Sequence, residues 1–156
     1  MIGKASANIA FYLLNDTYQQ ETMKLQNLSP RSEPYIYNFT VSNQEGERVS
    51  DVDLKYTLKL KSTTNLPLRY KLYMNEDYRD SDATNLVTES TTTIEPDEDG
   101  TYFLIVTLPS EELIYSSPKT NSYTLLIYFD EVYTDAKYQD TIESIRIIIN
   151  SQQMIE

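Results

Sequence analysis

The sequence predicts an all-β protein. The expected architecture is one antiparallel two-sheet sandwich, immunoglobulin-like or jelly-roll, with about eight or nine strands in a single domain over residues 1–156. Three observations carry this expectation. Residues 52–74 alternate apolar and polar side chains over two successive runs, turn signals separate most other alternating runs, and helical periodicity is nearly absent. In the first run Val52, Leu54, Tyr56, Leu58 and Leu60 alternate with Asp53, Lys55, Thr57, Lys59 and Lys61. Successive strand side chains point to opposite faces, so this segment has one buried and one wet face. The pattern resumes in Leu68, Tyr70, Leu72 and Met74 after a short loop, and the pair reads as a hairpin. Pro67 lacks a backbone donor and suits the loop or the first strand position.

The other elements follow the same logic in chain order. Residues 5–14 form the first strand candidate, and Asn15-Asp16 turns the chain. Residues 22–28 make a weaker strand with Met23 and Leu25 on one side, and the Ser/Pro-rich residues 29–34 make a loop. Tyr35, Tyr37, Phe39 and Val41 point inward from the next strand. A polar turn surrounds Gly46, and residues 75–85 form a long acidic loop. Residues 86–94 suit an edge strand. A tight turn is expected at Asp99-Gly100, before a strand with Tyr102, Leu104, Val106 and Leu108 inward. Residues 111–115 suit one helical turn capped by Ser110. Residues 123–129 and 142–150 close the fold, and both are apolar on two faces in part.

Composition excludes several classes of function. With 13 basic and 24 acidic residues the net charge is −11, which repels phosphate backbones and argues against nucleic-acid binding. Absence of His and Cys removes the common nucleophilic triads, disulfides and nearly all zinc sites. No run approaches the ~20 apolar residues of a membrane helix. No catalytic or cofactor-binding motif is found, and no spacing singles out a pair among the 24 carboxylates for glycoside cleavage. Calcium is the remaining metal class, with candidates Asp77, Asp80 and Asp82 in one loop and Asp97 and Asp99 in another. The second loop begins like an EF-hand, but Val106 stands where the closing Glu belongs, and acidic turns are ordinarily just solvated.

The segment Phe39-Thr40-Val41-Ser42-Asn43 and the runs 49–58 and 66–73 resemble the camelysin and TasA group, small exported proteins of Gram-positive bacteria. So does the opening Gly3-Lys4-Ala5-Ser6-Ala7-Asn8-Ile9-Ala10. The resemblance covers roughly two thirds of the chain and rests on strand patterns. It implies a sandwich at the cell surface or in a biofilm matrix, released from a cleaved leader. It also implies fibre formation in which the N-terminal segment is donated to the next subunit. The metalloprotease activity described for camelysin does not carry over, since a chain without His has no HExxH. The residues themselves leave both a cytosolic protein and a mature exported portion with an added Met.

Two features suggest self-association or contact with another surface protein. Residues 9–14, 123–129 and 142–149 are apolar on both faces, and a second apolar face needs a cover. A loop such as residues 109–118 is the simplest cover, and Ile9, Phe11 and Leu13 are the assembly candidates on the first strand. Secondly, Lys55, Lys59, Lys61, Arg69 and Lys71 share the outer face of the expected hairpin, 5 of the 13 basic residues. Protection of a sheet edge by Lys is the plainer use of that patch; docking a neighbour's acidic loop is the other. The alternative function is a monomeric module that recognises a glycan or surface protein through exposed Tyr73, Tyr78 or Tyr133.

Overall fold

A computed structural model describes residues 9–96, 98–115, 117–134, 138 and 141–154. Twelve strands run through them, more than the alternation predicts, and no α-helix forms among the described residues. The strands are β1 (Ile9–Tyr12), β2 (Thr17–Leu25), β3 (Tyr35–Ser42), β4 (Gln44–Glu45), β5 (Arg48–Val49), β6 (Leu54–Thr63), β7 (Leu68–Met74), β8 (Thr92–Pro96), β9 (Tyr102–Thr107), β10 (Glu111–Leu113), β11 (Thr120–Phe129) and β12 (Glu143–Gln153). One sheet has the order β1-β3-β11-β7 and the other β2-β12-β6-β9-β8, with β10 also on β6; β4 and β5 form a small hairpin. The all-β sandwich is as the sequence predicts.

Its strand order distinguishes the two sandwich types that alternation leaves open. β11 inserts between β3 and β7, and β12 inserts between β2 and β6. The β11–β12 pair is thus wound into the space left by two earlier crossings, which is the double Greek key of a jelly roll. Residues 85–87 run beside the free side of β7, where Leu86 N donates to Leu72 O at 2.8 Å. The sheets are otherwise antiparallel, but β1 pairs parallel to β3, so the smaller sheet is mixed.

Residues 52–74 are not a hairpin. β6 pairs with β12, β9 and β10, whereas β7 pairs with β11 in the opposite sheet. Alternation is the same whether a chain turns back in its own sheet or crosses to the facing one. Here both apolar faces look into one core: Leu54, Tyr56, Leu58 and Leu60 from β6 meet Leu72 from β7 and Tyr123, Leu125 and Ile127 from β11. The expected helical turn at 111–115 is instead β10, whose backbone groups pair with Leu54, Lys55 and Tyr56 of β6. A single turn leaves most of its backbone groups unpaired, and a vacant stretch of sheet edge satisfies them better. Residues 86–94 supply a shorter strand than expected, only from Thr92.

Turn chemistry agrees with the sequence. Gly46 and Gly100 have φ of 64° and 88°, and Asp99 accepts hydrogen bonds from Thr101 N at 3.1 Å and Thr101 Oγ1 at 2.6 Å.

Candidate assembly site

The sequence of the first strand, described from Ile9, fixes its faces. Phe11 and Leu13 are buried and Ile9 packs against the core, while Ala10 and Tyr12 face out. The register sets Ile9 beside Phe39, Phe11 beside Val41 and Tyr12 beside Ser42. The Phe11 ring meets Phe39 edge-on at 6.3 Å, and Phe39 stacks on Tyr123 at 4.8 Å. β1 is an edge strand, so its other flank faces the rim of the sandwich. There the Gln19 side chain, from the edge strand of the opposite sheet, donates to Tyr12 O at 2.9 Å. Residues 5–8 of the expected strand lie outside the described residues.

The link from β1 to β2 is fixed more firmly than β1 itself. Leu13 N donates to Ser42 O at 2.8 Å, and Ser50 Oγ donates to Leu14 O at 3.0 Å. Ser151 Oγ donates to Asn15 O at 2.8 Å, and Gln153 N donates to Asp16 Oδ1 at 2.5 Å. Over Ile9–Tyr12, β1 therefore hangs on an anchored pivot and is held by one parallel neighbour, the Gln19 bond and apolar packing.

β3, the strand that receives β1, carries the Phe39–Asn43 segment. Phe39, Val41 and Asn43 are all buried. Asn43 Nδ2 donates to Ile114 O and Ser117 O, both at 3.1 Å, and its Oδ1 accepts from Lys119 N at 2.8 Å. One buried amide thus ties the β10–β11 link to the end of β3.

Beneath this edge lies a polar network that the sequence reading missed. Tyr56 and Tyr123 share a hydrogen bond of 2.7 Å between their hydroxyls, Asn121 Nδ2 donates to Tyr56 Oη at 2.7 Å, and Asn121 Oδ1 accepts from Asn75 Nδ2 at 3.0 Å. Burial pushes both phenols above their ordinary value, so they stay neutral and serve as cross-sheet ties. The second missed group is Glu143, wholly buried at the start of β12. Its carboxylate accepts from the Thr63 hydroxyl, from Asn65 N at 3.0 Å and from Leu66 N at 2.7 Å. It clamps residues 63–66, which carry the chain from one sheet to the other. Both had a signal in the sequence: Asn121 and Glu143 fall in phase with the inward Tyr123, Leu125 and Ile145, Ile147, Ile149.

The basic patch is divided. Lys55, Lys59 and Lys61 lie on the outer face of the larger sheet, Arg69 and Lys71 on the outer face of the smaller one, because the crossing at 64–67 puts their strands on opposite sides of the core. Arg69 and Lys71 sit 4.9 and 5.4 Å from the Tyr128 ring centroid, which covers part of the second apolar face of β11. β10, in the middle of the stretch expected to cover that face, instead lies in the larger sheet beside β6.

Two of the calcium candidates, Asp77 and Asp99, are engaged locally. Asp77 holds Arg79 through its carboxylate at 2.8 and 3.0 Å, and those bonds hold its pKa down at about 2. Asp99 caps Thr101, while Asp80 and Asp82 are exposed and Asp97 lies outside the described residues. Among the described residues no group of three or more acidic, His or Cys side chains comes together to hold a metal ion. Of the tyrosines offered for glycan binding, Tyr73 is buried, Tyr78 half-buried and Tyr133 exposed. Also among the described residues, no helix is long and apolar enough to cross a membrane.

No family model matches the chain, and no curated protein matches it. Among solved structures it is similar to CorA of Methylomicrobium album BG8, described as a surface-associated copper-binding protein important in copper acquisition. The identity is 9 %, the match covers 94 % of this chain and 98 % of that one, and the TM-score is 0.34. So distant a likeness carries no functional argument.

Proposed function

We propose that this chain is a non-enzymatic, exported surface or matrix protein of the camelysin and TasA kind, which assembles by adding its N-terminal strand to the sheet of a neighbouring copy. One observation carries the reading. β1 lies parallel to β3 at a sheet edge and fills the core with Phe11. Parallel pairing is slightly weaker per residue than antiparallel. The side chains that hold β1 fit the same groove on any copy, so exchange between copies loses no contact. Deleting residues 2–14 is expected to abolish fibre or oligomer formation, read by light scattering and electron microscopy across a concentration series. Assembly that survives the deletion contradicts the mechanism.

A second reading, a monomeric glycan-binding module, rests on an aromatic cleft of about 140 Å³ lined by Leu28, Pro30, Phe129, Tyr133 and Tyr138. It is favoured if the intact chain stays monomeric at high concentration and takes up a sugar saturably.

A further inference from the structure

Five cations, Lys24, Lys55, Lys59, Lys61 and Arg146, share the outer face of the larger sheet. The registers put them there: Lys61 stands beside Arg146, Lys59 beside Ile148 and Lys24 beside Ser144, opposite in direction to the buried Leu58, Leu60, Ile145 and Ile147. Edge protection does not account for the three on β6. That strand is flanked by β12 on one side and by β9 and β10 on the other. The guard of the β2 edge is another residue, Glu21, an exposed charge at an inward position beside Ile147. Half-buried Ile148 and Phe103 lie among the cations, with Lys61 4.3 Å from the Phe103 ring centroid. The strand carboxylates on this face, Glu95 and Glu112, stand at its margins.

The complementary surface is on the same molecule. β3 and β7 both finish beside the start of β11, so the loops after them emerge at one end of the sandwich. Those loops present Glu45, Glu47, Asp51, Glu76, Asp80 and Asp82, all exposed.

We propose that the cationic outer face of the larger sheet docks the acidic loop end of a second copy. With 9, 11, 10, 6 and 5 residues in β2, β12, β6, β9 and β8, a rise of about 3.3 Å per residue and a strand spacing of about 4.8 Å, the face offers roughly 650 Å², near the lower end of one partner's share in a standard interface. An extended polyanion suits the face less well. Beyond its rim it would meet a molecule of net charge −11, whereas a compact acidic end covers the face and stops. The contact joins two different surfaces and therefore propagates head to tail. It is independent of strand addition and uses none of the residues of β1.

Sedimentation velocity on the intact chain and two charge-reversed variants tests this. Wild type is expected to associate about tenfold more weakly when salt rises from about 0.05 M to about 0.5 M, because screening shortens the reach of the charges. Lys59→Glu/Lys61→Glu alone and Asp80→Lys/Asp82→Lys alone should each lose this salt-sensitive association. Their mixture should regain it, as assemblies in which the two variants alternate, since the reversed face of one fits the reversed end of the other and the unchanged face of the second fits the unchanged end of the first. A mixture that stays monomeric overturns the proposal, as does a variant that associates alone like wild type. So does a wild type indifferent to salt, or one that responds only to added polyphosphate. Strand exchange, by contrast, is expected to persist in both variants.

Discussion

Glu143→Ala is expected to lower the unfolding free energy by roughly 3 kcal/mol and the melting temperature by about 6–12 °C. The carboxylate accepts three hydrogen bonds from residues 63–66 and is fully buried. Alanine leaves the buried Leu66 amide without a partner, at a cost of about 1–3 kcal/mol, and takes the carboxylate from the part-buried Asn65 amide and the Thr63 hydroxyl as well. The effect should be cooperative across the molecule, because the clamped segment joins β6 of one sheet to β7 of the other. Thermal melts followed by circular dichroism read it directly.

The same residue gives the protein a pH signature. Burial raises the Glu143 pKa above its ordinary value of 4.5, and the bonds from Thr63, Asn65 and Leu66 offset only part of the rise. Between the unfolded and folded values the native state binds the extra proton, so stability falls as pH rises through that window. The advantage of wild type over Glu143→Gln is therefore largest below about pH 4.5 and shrinks toward neutral pH. An advantage that grows from acid to neutral pH would contradict this assignment.

Phe11→Ala is expected to have the other large effect, about 3 kcal/mol on the docking of β1. The ring is almost wholly buried and packs edge-on against Phe39. Since β1 is an edge strand on a pivot tied down at residues 13–16, the loss should fall on its docking first. Hydrogen exchange should rise along Ile9–Tyr12 while β11 and β12 keep their protection. Assembly should weaken as well, because the same ring would anchor the strand in a neighbouring copy. Unchanged exchange in β1 would show that Phe11 does not hold it.

Much of the fold was legible in the sequence, and what was not has physical reasons. Alternation identified the inward set of β3, β6, β7 and β11, and that of β9 except for Tyr102, which is exposed, since period two is a property of a single strand. It was silent on which sheet each strand joins, so β6 and β7 read as a hairpin and their cations as one patch. β10 is only three residues long, too short for any period to register, and Ser110 offered a helix cap in its place. The parallel pairing of β1 is set by tertiary context. Phe11 and Leu13 were read as apolar assembly residues, but the anchoring of Leu14–Asp16 by Ser50, Ser151 and Gln153 brings together residues far apart in the chain. Glu143 could have been found, being a carboxylate in step with three inward isoleucines.

The chain has no Cys, so single cysteines can report directly on which copy each first strand joins. Ala10 and Thr40 are register partners across β1 and β3, on the outward side, where parallel neighbours lie about 4.8 Å apart and a disulfide fits. An Ala10→Cys copy mixed with a Thr40→Cys copy and gently oxidised should yield a covalent heterodimer, visible on a non-reducing gel, if the first strand completes a neighbour's sheet. Cross-linking confined to the Ala10→Cys/Thr40→Cys double variant, as a monomer closed on itself with no heterodimer in the mixture, would contradict assembly by strand addition.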